Sequence, residues 1–261
     1  MFARFRTIAF AGLAGAAMLA PLSAVAQADE EPLARFEDEL CPGVLGLQQE
    51  AAEAMVGHLR ANAEVLGLHM AANGDCEANF IVAFVRDGQA FLSQLEDRSS
   101  YIFAEMTREE RIALLSTDGP TRTVLRVRAR SRDGMPISRR ENLTDLPQTT
   151  MWMAHSKIYS ATRNDILSAM VLFDRDAIKG LTLTQLADYA TFRALVHSLP
   201  DPAASGTASI LTLFDGGEPR PAGLTEFDHA YLTQLYTGMA NLPAPAKLAD
   251  LADATGVDSV E

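Results

Sequence analysis

The chain has 261 residues, with 34 acidic and 22 basic side chains, a net charge of −12, and a hydrophobic share of 48% against 21% charged. That balance excludes a disordered chain and a polytopic membrane protein. The surplus of negative charge repels polyanions, which argues against nucleic acid and anionic membrane surfaces as partners.

Arg4 and Arg6 precede an uncharged run from Ile8 to Leu19, and Ser23-Ala24-Val25-Ala26 closes it with small residues. A positive start, a short apolar stretch and an A-x-A-like end are the three parts of a secretory signal peptide. The run is shorter than the roughly 20 residues a membrane span requires. The expected organisation is a signal peptide over 1–26, a flexible acidic leader over 27–40, a single α+β domain over 41–240 and a C-terminal tail over 241–261. The expected location is periplasmic or secreted, in a bacterial envelope, with no membrane span after cleavage. Outside the cytoplasm an even pair of thiols oxidises, so Cys41 and Cys76 are predicted to form a disulfide.

In chain order, Leu45–Leu66 reads as a long helix. Leu47, Ala51, Met55, His58, Leu59, Asn62 and Leu66 recur on one face, and Gly67 stops it. Asn79–Val85 is almost continuously apolar and reads as a strand covered on both faces. Gln89–Asp97 reads as a helix. Another helix begins at Thr107, with Glu110 at capping-box spacing. Thr121–Arg130 alternates Thr123, Leu125, Val127 and Ala129 against Arg122, Arg126, Arg128 and Arg130, which predicts a strand with one basic face. The polar stretch 131–148 reads as a loop, followed by short strands at 156–161 and 168–174. Leu181–Leu199 is the second long helix, capped by Thr182 with Gln185 and stapled by Leu181 and Leu186. Ser209–Phe214 is a short apolar segment, Leu224–Tyr236 a third long helix capped by Thr225 with Asp228, and an amphipathic piece lies in the tail.

Motifs for the common chemistries are absent: no H-E-x-x-H, G-x-S-x-G, P-loop or G-x-G-x-x-G. His58, His69, His155, His197 and His229 include no pair at helical metal-ligand spacing. Neither a metal nor another cofactor is therefore expected. Ser156 or Ser209 with His155, His197 or His229 and an aspartate has no elbow or oxyanion context to support a triad.

The segment Leu181-Thr182-Leu183-Thr184-Gln185-Leu186-Ala187-Asp188-Tyr189, then Ser209-Ile210-Leu211, then Leu224-Thr225-Glu226-Phe227-Asp228 leading to Leu235-Tyr236, resembles the C-terminal part of zincin-like metallopeptidases. It also resembles uncharacterised exported bacterial proteins that look like degenerate members of that group. The resemblance implies a zincin-like fold, a mixed sheet flanked by helices. It aligns the first metal histidine with Thr184, the catalytic glutamate with Gln185 and the second metal histidine with Asp188. Thr184 is a poor zinc ligand and Gln185 is no base near neutral pH, so no catalytic residue is assigned. What the resemblance leaves is a candidate binding cleft around Thr184, Gln185, Asp188 and Tyr189. The same residues read alternatively as a helix cap, a surface carboxylate and core packing. Arg126 and Arg128 are candidate anion-binding residues, or else a solvated strand face. The expected function is an exported, non-catalytic binding or interaction protein with an envelope protein as partner. A hydrolase with an unrecognised site and a structural subunit of an envelope complex remain the alternatives.

Overall fold

The computed structural model describes residues 31–72, 76–137, 156, 158–201, 207–217 and 219–255. The expected signal peptide and most of the 131–148 loop lie outside the described residues. The fold is α+β, with a four-stranded mixed sheet and six α-helices among the described residues. The strands are β1 (Pro42–Leu45), β2 (Phe80–Val85), β3 (Thr121–Ser131) and β4 (Thr162–Asp174), in the order β1-β2-β4-β3. β1, β2 and β4 are parallel, and β3 runs antiparallel to β4 on the outside. The α-helices are α1 (Gln49–Val65), α2 (Gly88–Arg98), α3 (Arg108–Ser116), α4 (Leu183–Leu195), α5 (Glu226–Tyr236) and α6 (Ala244–Thr255).

α1 and α4 cover one face of the sheet. Phe80, Val82 and Phe84 of β2 and Ile166, Val171 and Phe173 of β4 meet Met55 and Leu59 of α1 and Ala187, Ala190 and Ala194 of α4. The alanines let α4 sit low, and α5 and the 3₁₀ turn Ile210–Phe214 close over its other side. Nine of its thirteen residues are buried, so α4 is a central helix rather than an amphipathic one. A smaller cluster lies on the opposite face, where Ala83, Leu172 and Val124 pack under Leu92 of α2 and Phe103.

Several expectations need correction. The first helix starts at Gln49 instead of Leu45, because Pro42–Leu45 pairs in parallel with β2 as the edge strand β1. A four-residue parallel edge has no periodicity of its own to reveal it. The strand expected at 156–161 is not formed, since residues 158–161 are bends and irregular chain, and the one expected at 168–174 starts earlier, as β4 at Thr162. Its charged start looks loop-like in sequence but is neutralised in place: Asp165 is 2.9 Å from Arg163 Nε and 3.4 Å from Arg130 Nε. α4 ends at Leu195 instead of Leu199, where Tyr236 donates to the Leu195 carbonyl at 3.0 Å. The stretch read as a leader packs from its described start: Phe36 and Leu40 are buried, and Arg35 forms a parallel bridge beside Asp165. By contrast, the amphipathic piece expected in the tail does pack as a last helix, α6, through Leu248 and Leu251.

Cys41 and Cys76 form a disulfide, with Cα atoms 6.1 Å apart. It ties the start of β1 to the approach to β2. No helix among the described residues is long and apolar enough to cross a membrane.

Candidate functional site

The N-terminal turn of α4 is where the sequence places its candidate cleft. Thr182 accepts from the Gln185 backbone at 3.2 Å, and the Gln185 side chain accepts from the Thr182 backbone at 2.9 Å, a complete capping box. The amide nitrogen of the same side chain donates to the Pro221 carbonyl at 2.7 Å. Gln185 is thus held at both ends. Thr184 is exposed.

Asp188 is 6% exposed and points at α1. Its Oδ1 accepts from Asn62 Nδ2 at 2.8 Å and lies 2.9 Å from His58 Nε2. Its Oδ2 accepts from the Leu224 backbone at 3.0 Å. Asn62 donates further to Thr191 Oγ1 at 3.0 Å. Gly223 makes room for the carboxylate, since a β-carbon there would stand 2.5 Å from Oδ2. Tyr189 turns toward the sheet instead. Its hydroxyl shares a hydrogen bond with Thr121 Oγ1 at 2.9 Å, and its ring meets Phe214 edge-on at 4.9 Å. The four candidate residues therefore point in three directions. The structure brings Asp188 together with His58, Asn62 and Thr191, and leaves Thr184 apart.

His58 and Asn62 were visible in sequence only as polar members of an apolar helical stripe, one turn apart. Two polar side chains in a buried stripe signal a buried partner, but that partner lies far along the chain. A second buried carboxylate, Asp228, accepts from Ser209 Oγ at 2.6 Å and from the Ile210 backbone at 2.7 Å. It also completes the Thr225 capping box. Ser209 is thereby used as a cap, while His229 is exposed on the next residue. Among the described residues, no three His, Cys, Asp or Glu side chains converge closely enough to share a metal ion.

The basic face of β3 is largely compensated. Arg122 pairs with Asp174 at 3.4 Å. Arg128 donates to Glu105 through both Nε and Nη2, and that hydrogen bonding holds its proton more firmly than usual. Arg126 lies over the Tyr101 ring, 5.6 Å from its centroid. The two anion-binding candidates therefore differ: Arg128 is held by a carboxylate, Arg126 by an aromatic face.

The other notable feature is a groove of about 200 Å³ along the outer side of β3. Its floor is Thr123, Leu125 and Val127. Glu105 and Leu114 stand on one side, with Arg193 and His197 on the other. The ladder fixes which backbone groups face it. Asp174 donates to the Pro120 carbonyl and Arg132 to the Ala161 carbonyl, so the even-numbered residues of β3 bond toward β4. The N–H and C=O groups of Thr123, Leu125 and Val127 consequently point outward. Among the described residues they pair with no other strand.

Comparison with protein-family profiles, with curated proteins and with solved structures finds no match for this chain.

Proposed function

We propose that this chain is an exported, non-catalytic interaction protein that captures an extended polypeptide segment along the outer edge of β3, on a scaffold resembling a zincin-like metallopeptidase stripped of its ligands. The observation that carries the reading is the coincidence of an open strand edge with a walled groove. An edge strand's free N–H and C=O groups are a template for another strand, and proteins usually blunt such an edge. Here the groove keeps it accessible. Leu125 and Val127 offer apolar contact to alternate side chains of an added strand, which is how β-augmentation combines backbone affinity with side-chain selectivity.

Two further facts support the reading, one its non-catalytic part and one its exported part. Gln185 and Asp188, aligned with the metallopeptidase glutamate and second histidine, are both occupied in tying α4 to its neighbours. A closed disulfide and the lack of any membrane-length apolar helix among the described residues are compatible with an extracytoplasmic location.

The test is hydrogen exchange on the purified chain with and without an envelope extract fractionated for binding. The amides of Thr123, Leu125 and Val127 are expected to exchange fast alone and become protected when a partner binds. Leu125→Pro, which an edge strand tolerates but which removes one outward donor, is expected to weaken that partner's retention. Retention unaffected by Leu125→Pro would sink the edge-pairing reading. Chelator-sensitive peptidase activity of the purified chain would sink the non-catalytic one.

A further inference from the structure

We infer that a second cleft, on the sheet face away from α4, is a binding site for a small carboxylate with an apolar body. This cleft shares no lining residue with the groove along β3 and encloses about 260 Å³. Its floor is two rows of neighbouring strand residues. Ile81, Met170 and Val124 stand side by side across β2, β4 and β3. One step further, Ser168 lies opposite Arg126. The cover on this face, Leu92 of α2 with Phe103, packs over the row of Ala83 and Leu172. The lower rows are walled by Tyr101 and Ile102 of the 3₁₀ turn Ser100–Phe103. The result is an apolar strip running into a polar one.

Arg126 marks the polar end. Arg122, Arg128 and Arg130, its neighbours on the same strand face, each have a carboxylate: Asp174, Glu105 and Asp165. Arg126 has none among the described residues; its Nε is buried without a hydrogen-bond acceptor, as are those of Arg122 and Arg130, but their guanidiniums keep a carboxylate within 3.4 Å. Its guanidinium carbon instead lies 5.6 Å from the Tyr101 ring centroid, a contact that offers no acceptor to its N–H donors. A buried donor without an acceptor is unfavourable unless a ligand supplies one. The Ser168 hydroxyl, directly across the ladder, has no partner among the described residues and adds a second donor. The Asn79 amide is not available, since it already binds the Cys41 backbone and the Glu39 carbonyl.

A planar carboxylate matches the guanidinium fork and can accept from Ser168 as well. The strip of Ile81, Met170 and Val124 then takes an aliphatic or aromatic body, giving the mixed lining typical of a small-molecule site. Exposed Glu77 at the rim disfavours a second negative charge.

Calorimetric titration of the purified chain with hexanoate and benzoate tests this, with hexanol, benzyl alcohol and inorganic phosphate as comparators. Saturable one-to-one binding of an acid is expected, with the alcohols and phosphate much weaker. Arg126→Gln is expected to weaken acid binding by about tenfold or more, the loss of a charge-assisted hydrogen bond. Should Arg126→Gln fail to fold, Ile81→Trp, which fills the apolar strip without altering charge, is expected to abolish binding. Absence of saturable acid binding, phosphate binding as tight as the acids, or affinity unchanged in the variants would each overturn the assignment.

Discussion

Asp188 shows how a single side chain can look ordinary in sequence and become central in the fold. It sits on a helix whose exposed turns would tolerate any polar residue, yet it receives Asn62, His58 and the Leu224 backbone together. Asp188→Ala strands the buried amide of Asn62 and the Leu224 N–H. It is expected to cost about 3 kcal/mol in urea unfolding, with an unchanged denaturant slope if the fold is kept. Gly223→Ala, which pushes a methyl group to within 2.5 Å of the same carboxylate, is expected to lose stability in the same assay. Lys247 is the residue with a pH signature. The residue is 4% exposed, and its ammonium donates to the Thr237 and Met239 carbonyls. Burial brings its pKa down from 10.5 to about 8, and nearby Arg35 pushes the same way. The unfolded chain keeps this proton up to about 10.5 while the folded chain releases it above about 8. Lys247 therefore weakens the fold most below pH 8, and its contribution rises with pH from about 8 toward 10.5. Unfolding measured from about pH 8 up to 10.5 is expected to show that rise in the native chain and a smaller one in Lys247→Met.

Among the elements, those with local chemistry were legible. Thr107, Thr182 and Thr225 each head a capping box with both hydrogen bonds present, as their spacing to Glu110, Gln185 and Asp228 predicts. The signal is reliable because donor and acceptor lie within one turn. Thr182→Ala is expected to cost about 1 kcal/mol, and Thr225→Ala more, since Thr225 Oγ1 also donates to the Ala208 carbonyl. The alternation of β3 and the apolar run of β2 likewise announce strands. What escaped was every feature depending on a distant partner. β1 is a strand only because β2 lies beside it. The first residues of β4 are extended because Arg130 and Arg163 neutralise Asp165, whose carboxyl burial pushes up while those arginines pull it back. The early end of α4 depends on Tyr236, forty-one residues away. The candidate cleft on α4 dissolved for the same reason. Spacing places Gln185 and Asp188 on one side of the helix, but which neighbours claim them is a matter of packing.

At the scale of the molecule, the disulfide ties together the entries to the parallel strands β1 and β2. Closing a 35-residue separation is expected to contribute about 3–4 kcal/mol through the unfolded chain's lost entropy. Replacing both cysteines by serine is expected to lower the unfolding free energy by that order, in the same assay as above. The two clefts both use β3 but share no lining residue. Composition, the cysteine pair, the capping boxes and the strand and helix periodicities were determined by the sequence alone, because each is a property of neighbouring residues or of the whole sum. Which edge carries a walled groove, which arginine of β3 lacks a carboxylate, and which carboxylate is buried against a histidine were decided only by the tertiary structure. These depend on contacts between residues tens to more than a hundred positions apart, and no local pattern carries that information.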